Sequence, residues 1–299
     1  MYENASNATI LMLLHTAVYP FLAALIVSVV AGRWLHASPY LGYLGYLGYL
    51  AGFIVGLSLI HSGLSFPPSQ AIDYYNITAL AGIASVLCLT MMKQSTLRNI
   101  INSVLFALSF YLLLNPVLQH SGLIASLSWA VGSAIVVLLY QVLSEKIQGS
   151  IQQQVRSKHN LNLPPLLLLI GLIIVAGSAA PVISIGGSLL IGQLLGAFGA
   201  AVFGYIIISF LTRTLQNHTS IPALLILGGL ITQSHVLADI PLGVMLMLAA
   251  SSFVTPISIL LSPKMNSKQS IVIIAIQIII SGLISGLSLW LVWPASSLY

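Results

Sequence analysis

The sequence predicts an all-α polytopic membrane protein of about ten transmembrane helices, arranged as a 5+5 inverted repeat with both termini on the non-cytoplasmic side. Three observations predict it: the composition, the lengths of the apolar runs, and the one-sided distribution of basic residues. Of 299 residues 58% are hydrophobic and only 4% are charged, and the mean hydropathy is +1.05. Soluble domains carry roughly a quarter charged residues, so a chain this poor in charge has lipid as its solvent.

Apolar runs of about 20 residues, the length a helix needs to cross some 30 Å of hydrocarbon, recur ten times. They fall at 9–31, 40–62, 76–92, 99–118, 121–143, 164–183, 187–211, 221–238, 240–262 and 269–293. The third and eighth are the shortest and the first expected to tilt or break. Pro181 and the Gly186-Gly187 pair predict a turn between the sixth and seventh.

Basic residues in short loops mark the cytoplasmic face, and here they agree without exception. Arg33, Lys93, Arg98, Lys146, Arg156, Lys158, Arg213, Lys264 and Lys268 all fall in loops on one side of the ten-span arrangement. Glu3, Asp73 and Asp239 fall on the other side, and Glu145 alone joins the basic loops. The pattern places both termini outside and suits a bacterial cytoplasmic (inner) membrane. The same nine residues form no stripe or patch, which argues against a nucleic-acid partner despite a net charge of +5.

The longest hydrophilic connection, 144–165, divides the chain at its midpoint, giving residues 1–145 as the first repeat, 146–163 as a cytoplasmic linker and 164–299 as the second repeat. Five spans per half inverts the second half relative to the first, as in inverted-repeat transporters. Three matches support the pairing. Spans 2 and 7 are rich in glycine, spans 3 and 8 open with ITALAGIASVL and IPALLILGGLI, and spans 4 and 9 carry Asn115-Pro116 and Thr255-Pro256. The prolines predict interrupted helices in both halves.

Gly48, Gly52 and Gly56 recur every fourth residue and make one smooth helix face, the pattern of close helix packing. Tyr40 and Tyr43 read as residues of the interfacial aromatic belt.

Polar groups inside a span are costly and tend to face a partner or a cavity. Candidate pathway residues are Gln193, Gln277, Asn115, Pro116, Thr255, Pro256, Gln233 and His15, with hydroxyls at Ser251, Ser252, Ser281 and Ser285. Gln193 and Gln277 lead the list, the first for its glycine-rich span and the second for its mid-span position among aliphatic residues. Each amide has an alternative reading as an interhelical hydrogen bond. His235 and Asp239, at i and i+4, are candidates for an ion pair in an outer vestibule.

No Asp, Glu, Lys or Arg occupies the middle of a span, which disfavours coupling through a buried carboxylate. The lone Cys88 rules out a disulfide framework within one chain. No hydrolytic triad, metal-ligand cluster or nucleotide-binding loop is present, so neither an enzyme nor a cofactor or metal is expected. Two functions remain. The first is a secondary transporter or facilitator (permease) for a small neutral, apolar or organic-anion solute. The second is a non-catalytic membrane subunit, scaffold or lipid-handling protein, alone, as a homo-oligomer or with membrane-protein partners.

Overall fold

The computed structural model describes residues 9–35, 45–61, 67–68, 70–92, 94–155, 164–212, 218–262 and 267–293, and among them all regular structure is helical. The spans are numbered α1 to α10. Helix α1 starts at Thr9, passes through a π-helical turn at Leu14–Val18 and continues as Tyr19–Leu35. It is followed by α2 (Leu47–Ile60), α3 (Tyr75–Met91), α4 (Ser95–Leu118), α5 (Leu123–Val155), α6 (Pro164–Gly186), α7 (Leu189–Thr212) and α8 (Ser220–Ala238). The ninth span is two helices, α9a (Leu242–Ser251) and α9b (Val254–Leu261), and α10 is Ser267–Val292.

Nine of these spans are long and apolar enough to cross a membrane, and the chain is a multi-pass membrane protein. The exception is α2, whose 14 residues reach only about 21 Å at 1.5 Å per residue. Of the expected span at 40–62, the described helix covers 47–60, with Gly45 and Tyr46 in a turn before it and His61 extended after it; residues 40–44 and 62 lie outside the described residues. Tyr40 and Tyr43 lie outside the described residues.

Two further boundaries differ from expectation. Pro181 stays within α6, which runs on to Gly186 before turning, since proline in a membrane helix is accommodated when neighbouring helices pack around it. Helix α5 continues to Val155, so the first part of the 146–163 connection is helical rather than a loop.

Helix α8 is the hub. It packs against α3, α4, α5, α6, α7 and α9a, and its residues from Ser220 to Ser234 are almost all buried. On one side of it α1, α2 and α7 form a tight trio, and on another α6 packs against α10.

Small residues make the trio possible. A methyl group at Gly52 would lie 2.7 Å from Ala24 Cβ and 3.0 Å from Ala201 Cβ, and one at Gly56 would lie 2.8 Å from both Ala197 and Pro20. The glycine face is thus filled by the backbone and small side chains of α1 and α7, the close packing that the spacing predicts. Gly48 lies over Ala24 and Ser28 of α1, with its virtual Cβ 3.0 Å from the Ala24 carbonyl and from Ser28 Cβ. Gly192 lies in the same way over Ala180 and Ser184 of α6, again 3.0 Å from the alanine carbonyl and the serine Cβ. Two hairpins, α1–α2 and α6–α7, therefore share one packing device: a glycine seated on an Ala-x-x-x-Ser face.

Substituting valine at Gly48 or Gly192 is expected to destabilise the protein by about 1–3 kcal/mol through overpacking. Gly132, whose virtual Cβ has nothing within 4 Å, should accept alanine with no loss. Melting temperatures of the three variants in detergent check this, and equal effects at all three positions would contradict the packing described.

Candidate functional site

Span 9 breaks where it should be most costly to break. Ser251 lies ten residues into the span, about 15 Å from its start and close to mid-membrane. Pro256 has no N–H to give to the Ser252 carbonyl four residues earlier, and residues 252–253 form a turn. In lipid each freed backbone group needs a partner from the protein itself.

Gln277 of α10 supplies one. Its side chain is fully buried, and Nε2 donates to the Ser251 carbonyl at 3.1 Å and to Ser281 Oγ at 2.7 Å. Oε1 accepts from Thr255 Oγ1 at 2.7 Å. Thr255 is in turn covered by Gly171 of α6, where an added Cβ would lie 2.8 Å from Thr255 Cβ. Gln277 thus ties both halves of the broken span to α10. The Ser285 hydroxyl extends the same face by donating to the Ser178 carbonyl of α6 at 2.8 Å.

Gln233 occupies an equivalent chemical position. It is fully buried on α8, accepts a hydrogen bond from Tyr75 OH at 2.8 Å, and donates to the carbonyls of Leu113 and Ala71 at 3.3 and 3.4 Å. Leu113 is on α4, three residues before Pro116. Unlike α9, α4 is continuous through Pro116 to Leu118, so the expected interruption of span 4 does not occur. Asn115 and Pro116 are half-buried in its last turn, where few helical bonds remain to be lost.

The remaining candidates are dispersed. Gln193 is half-buried in the second turn of α7, whereas Gln277 is fully buried on α10 against α9a and α9b. His15 is half-buried in the π-helical turn with its ring 5.8 Å from that of Tyr19. His235 and Asp239 form no ion pair, because α8 ends between them: Asp239 takes a left-handed conformation as its C-cap and is exposed. His235 Nδ1 instead lies 2.6 Å from the Ile240 carbonyl, and its ring packs 5.1 Å from that of Trp129 of α5, tilted by 48°.

Beside Trp129 is a crevice of about 220 Å³. Its walls are Trp129, Gly132 and Ser133 of α5, Gly228 and Thr232 of α8, and Leu246 and Ala249 of α9a, with Phe110 of α4 behind. It ends at Ser252, at the break in span 9. Gly132 and Leu246 are exposed, so the crevice opens sideways between α5 and α9a, toward the lipid. Further along, α9b packs against α5 and closes the gap. No charged side chain lines the crevice.

The sequence reading missed a polar cluster at the basic end of α4 and α5. Arg98 and Glu145 form an ion pair, Gln141 donates to Glu145 at 2.8 Å, and Asn102 donates to Gln141 at 3.0 Å. The signal was present: Arg98 and Asn102 are spaced i, i+4, as are Gln141 and Glu145, and Glu145 was the one acid on the basic side. Another oversight is Asp73, which is buried (1% exposed) in the 3₁₀ turn before α3, bonded to the Gln70 N–H and 3.7 Å from His61 Nε2.

Among the described residues no group of three or more His, Cys, Asp or Glu could hold a metal. The sequence matches no protein-family model, and no characterised protein resembles it closely enough to suggest a function.

Gln277→Leu should lower stability by about 1.2 kcal/mol, two interhelical bonds at roughly 0.6 each, with the protein still inserted. A larger loss with aggregation would show that the break cannot persist without the amide. His218, before α8, has its pKa pushed down from 6.5 to about 4 by burial and then by the Arg98 charge. The folded chain therefore binds fewer protons than the unfolded one between those values, so stability falls as pH drops from 6.5 toward 4. His218→Asn, which tolerates the left-handed backbone at this position, should reduce the drop in melting temperature between pH 7 and pH 4.5.

Proposed function

We propose that the chain is a secondary transporter or facilitator built as two inverted groups of five spans, with its basic loops in the cytoplasm, for a small neutral and largely apolar solute. The observation that carries this reading is the crevice that runs from Trp129 to the break in span 9. Transporters of inverted-repeat type place their sites near the bilayer midplane at discontinuous helices. The absence of charge along the crevice makes an organic anion the least suited of the solutes considered.

The shared seating of Gly48 on Ala24 and Ser28, and of Gly192 on Ala180 and Ser184, supports the repeat. The break is in one half alone, and α6 packs against α10 while α1 packs against α7, so the halves have diverged.

A second reading, a non-catalytic subunit or scaffold, draws on Gln233 and Gln277. Each amide makes three hydrogen bonds within the chain, which fits locking helices together better than meeting a solute.

Orientation is tested in a Cys88→Ser background with single cysteines at exposed positions. Gln119→Cys and Asp239→Cys are expected to react with an impermeant thiol reagent from outside, and Gln94→Cys and Lys268→Cys only after permeabilisation. Spin labels at Gly132→Cys and Leu246→Cys, on opposite lips of the crevice, separate carrier from scaffold. A carrier should give two distance populations in proteoliposomes, and a single narrow population would favour the scaffold.

A further inference from the structure

We infer that the crevice between α5, α8 and α9a binds a neutral amphiphile: an apolar body carrying one uncharged hydrogen-bonding oxygen, held by Ser252 at the buried end. The inference deepens the carrier reading by naming the chemical class of its solute.

The size and polarity of the crevice set the body of the ligand. An apolar cavity of about 150 Å³ holds a benzene ring, so about 220 Å³ takes a ring with a short substituent or a chain of similar bulk. Apart from the hydroxyls of Ser133, Thr232 and Ser252, its walls are hydrocarbon, glycine and tryptophan, and its mouth faces lipid, so entry is sideways from the membrane. Apolarity alone selects nothing there, because lipid tails are as apolar as the walls. Selection must come from polar groups inside.

Two such groups stand out. The Thr232 hydroxyl is occupied, donating to the Gly228 carbonyl at 2.8 Å. Ser252 differs: it lines the inner end of the crevice, is 4% exposed, and its hydroxyl makes no hydrogen bond to any described residue. Its carbonyl is the one that Pro256 cannot serve. The Ser252 hydroxyl is thus an unmet donor and acceptor near mid-membrane, where an unmet polar group is costly. Gln277 meets the neighbouring Ser251 carbonyl and leaves Ser252 for something else. Ser133, also without a hydrogen-bond partner among the described residues, lies on the same lining. A ligand hydroxyl would satisfy Ser252 as donor and acceptor at once, and a charged head would find no counter-charge.

Trp129 reports occupancy directly. In a variant with Trp34, Trp290 and Trp293 changed to phenylalanine, in nanodiscs, 4-bromobenzyl alcohol is expected to quench Trp129 fluorescence saturably. 4-Bromotoluene, which has no hydroxyl, should bind about five-fold more weakly after correction for partitioning, the worth of one hydrogen bond. Ser252→Ala should erase that difference while the melting temperature holds, and Gly132→Leu should remove saturation for both probes. If Gly132→Leu fails to fold, Ser252→Ala alone decides. Unsaturable quenching in proportion to membrane concentration, or a preference untouched by Ser252→Ala, would overturn the inference and leave lipid tails as the occupants. The distances between labels at 132 and 246 are independent of this result, so failure of the ligand class and failure of the carrier reading are separately visible.

Discussion

One hydrogen-bonded amide lets this fold contain a broken helix in the middle of a membrane. Backbone groups inside a bilayer must find partners within the protein, which is why spans are helices and breaks are rare. In span 9 the turn at 252–253 and the proline at 256 undo the helical ladder, and Gln277 reaches across from α10 to take the Ser251 carbonyl while accepting the Thr255 hydroxyl. The packing of α6 through Gly171 holds Thr255 in place from the other side. Where the break leads, between α5 and α9a, the helices part and the crevice forms.

The rest of the molecule is held by close packing and by a few polar connectors. The trio α1–α2–α7 is joined by glycines and alanines close enough for backbones to touch, which in lipid substitutes for the hydrophobic drive that water provides. Helix α8 passes through the centre, and Gln233 ties it to α3 and α4 much as Gln277 ties α10 to α9. At the basic end, Arg98 and Glu145 with Asn102 and Gln141 fasten α4 to α5. Polar side chains thus act as connectors at these junctions, although several buried hydroxyls, those of Ser28, Ser85, Ser126 and Ser288 among them, have no partner among the described residues; Ser252 is set apart by lining the crevice.

Much of the candidate site was legible one residue at a time and illegible as a constellation. The cost of an amide in hydrocarbon pointed to Gln277 and Gln233, but whether such a group meets a cavity or another helix depends on which way its helix is turned. Proline at 116 and at 256 looked alike, yet one lies in the last turn of a helix, where it costs little, and the other follows a mid-membrane turn. Gln193 was singled out for its glycine-rich span and Gln277 for its mid-span position, and only Gln277 is seen to bond across a helix break. The Arg98–Glu145 cluster was within reach of sequence reasoning, since complementary i, i+4 pairs on consecutive spans announce a contact.

Residue by residue, the sequence determined that this chain lives in lipid, the positions of the nine described helices long enough to span, and that Gly48, Gly52 and Gly56 make a packing face, because those properties follow from local composition and helical period. Only the tertiary structure decided that α9 and not α4 is broken, that His235 packs against Trp129 rather than pairing with Asp239, and that a crevice ends at Ser252. These depend on which helices meet and at what rotation. In a bilayer that choice is made by close packing and by the pairing of the few polar groups, neither of which leaves a periodic mark on the sequence.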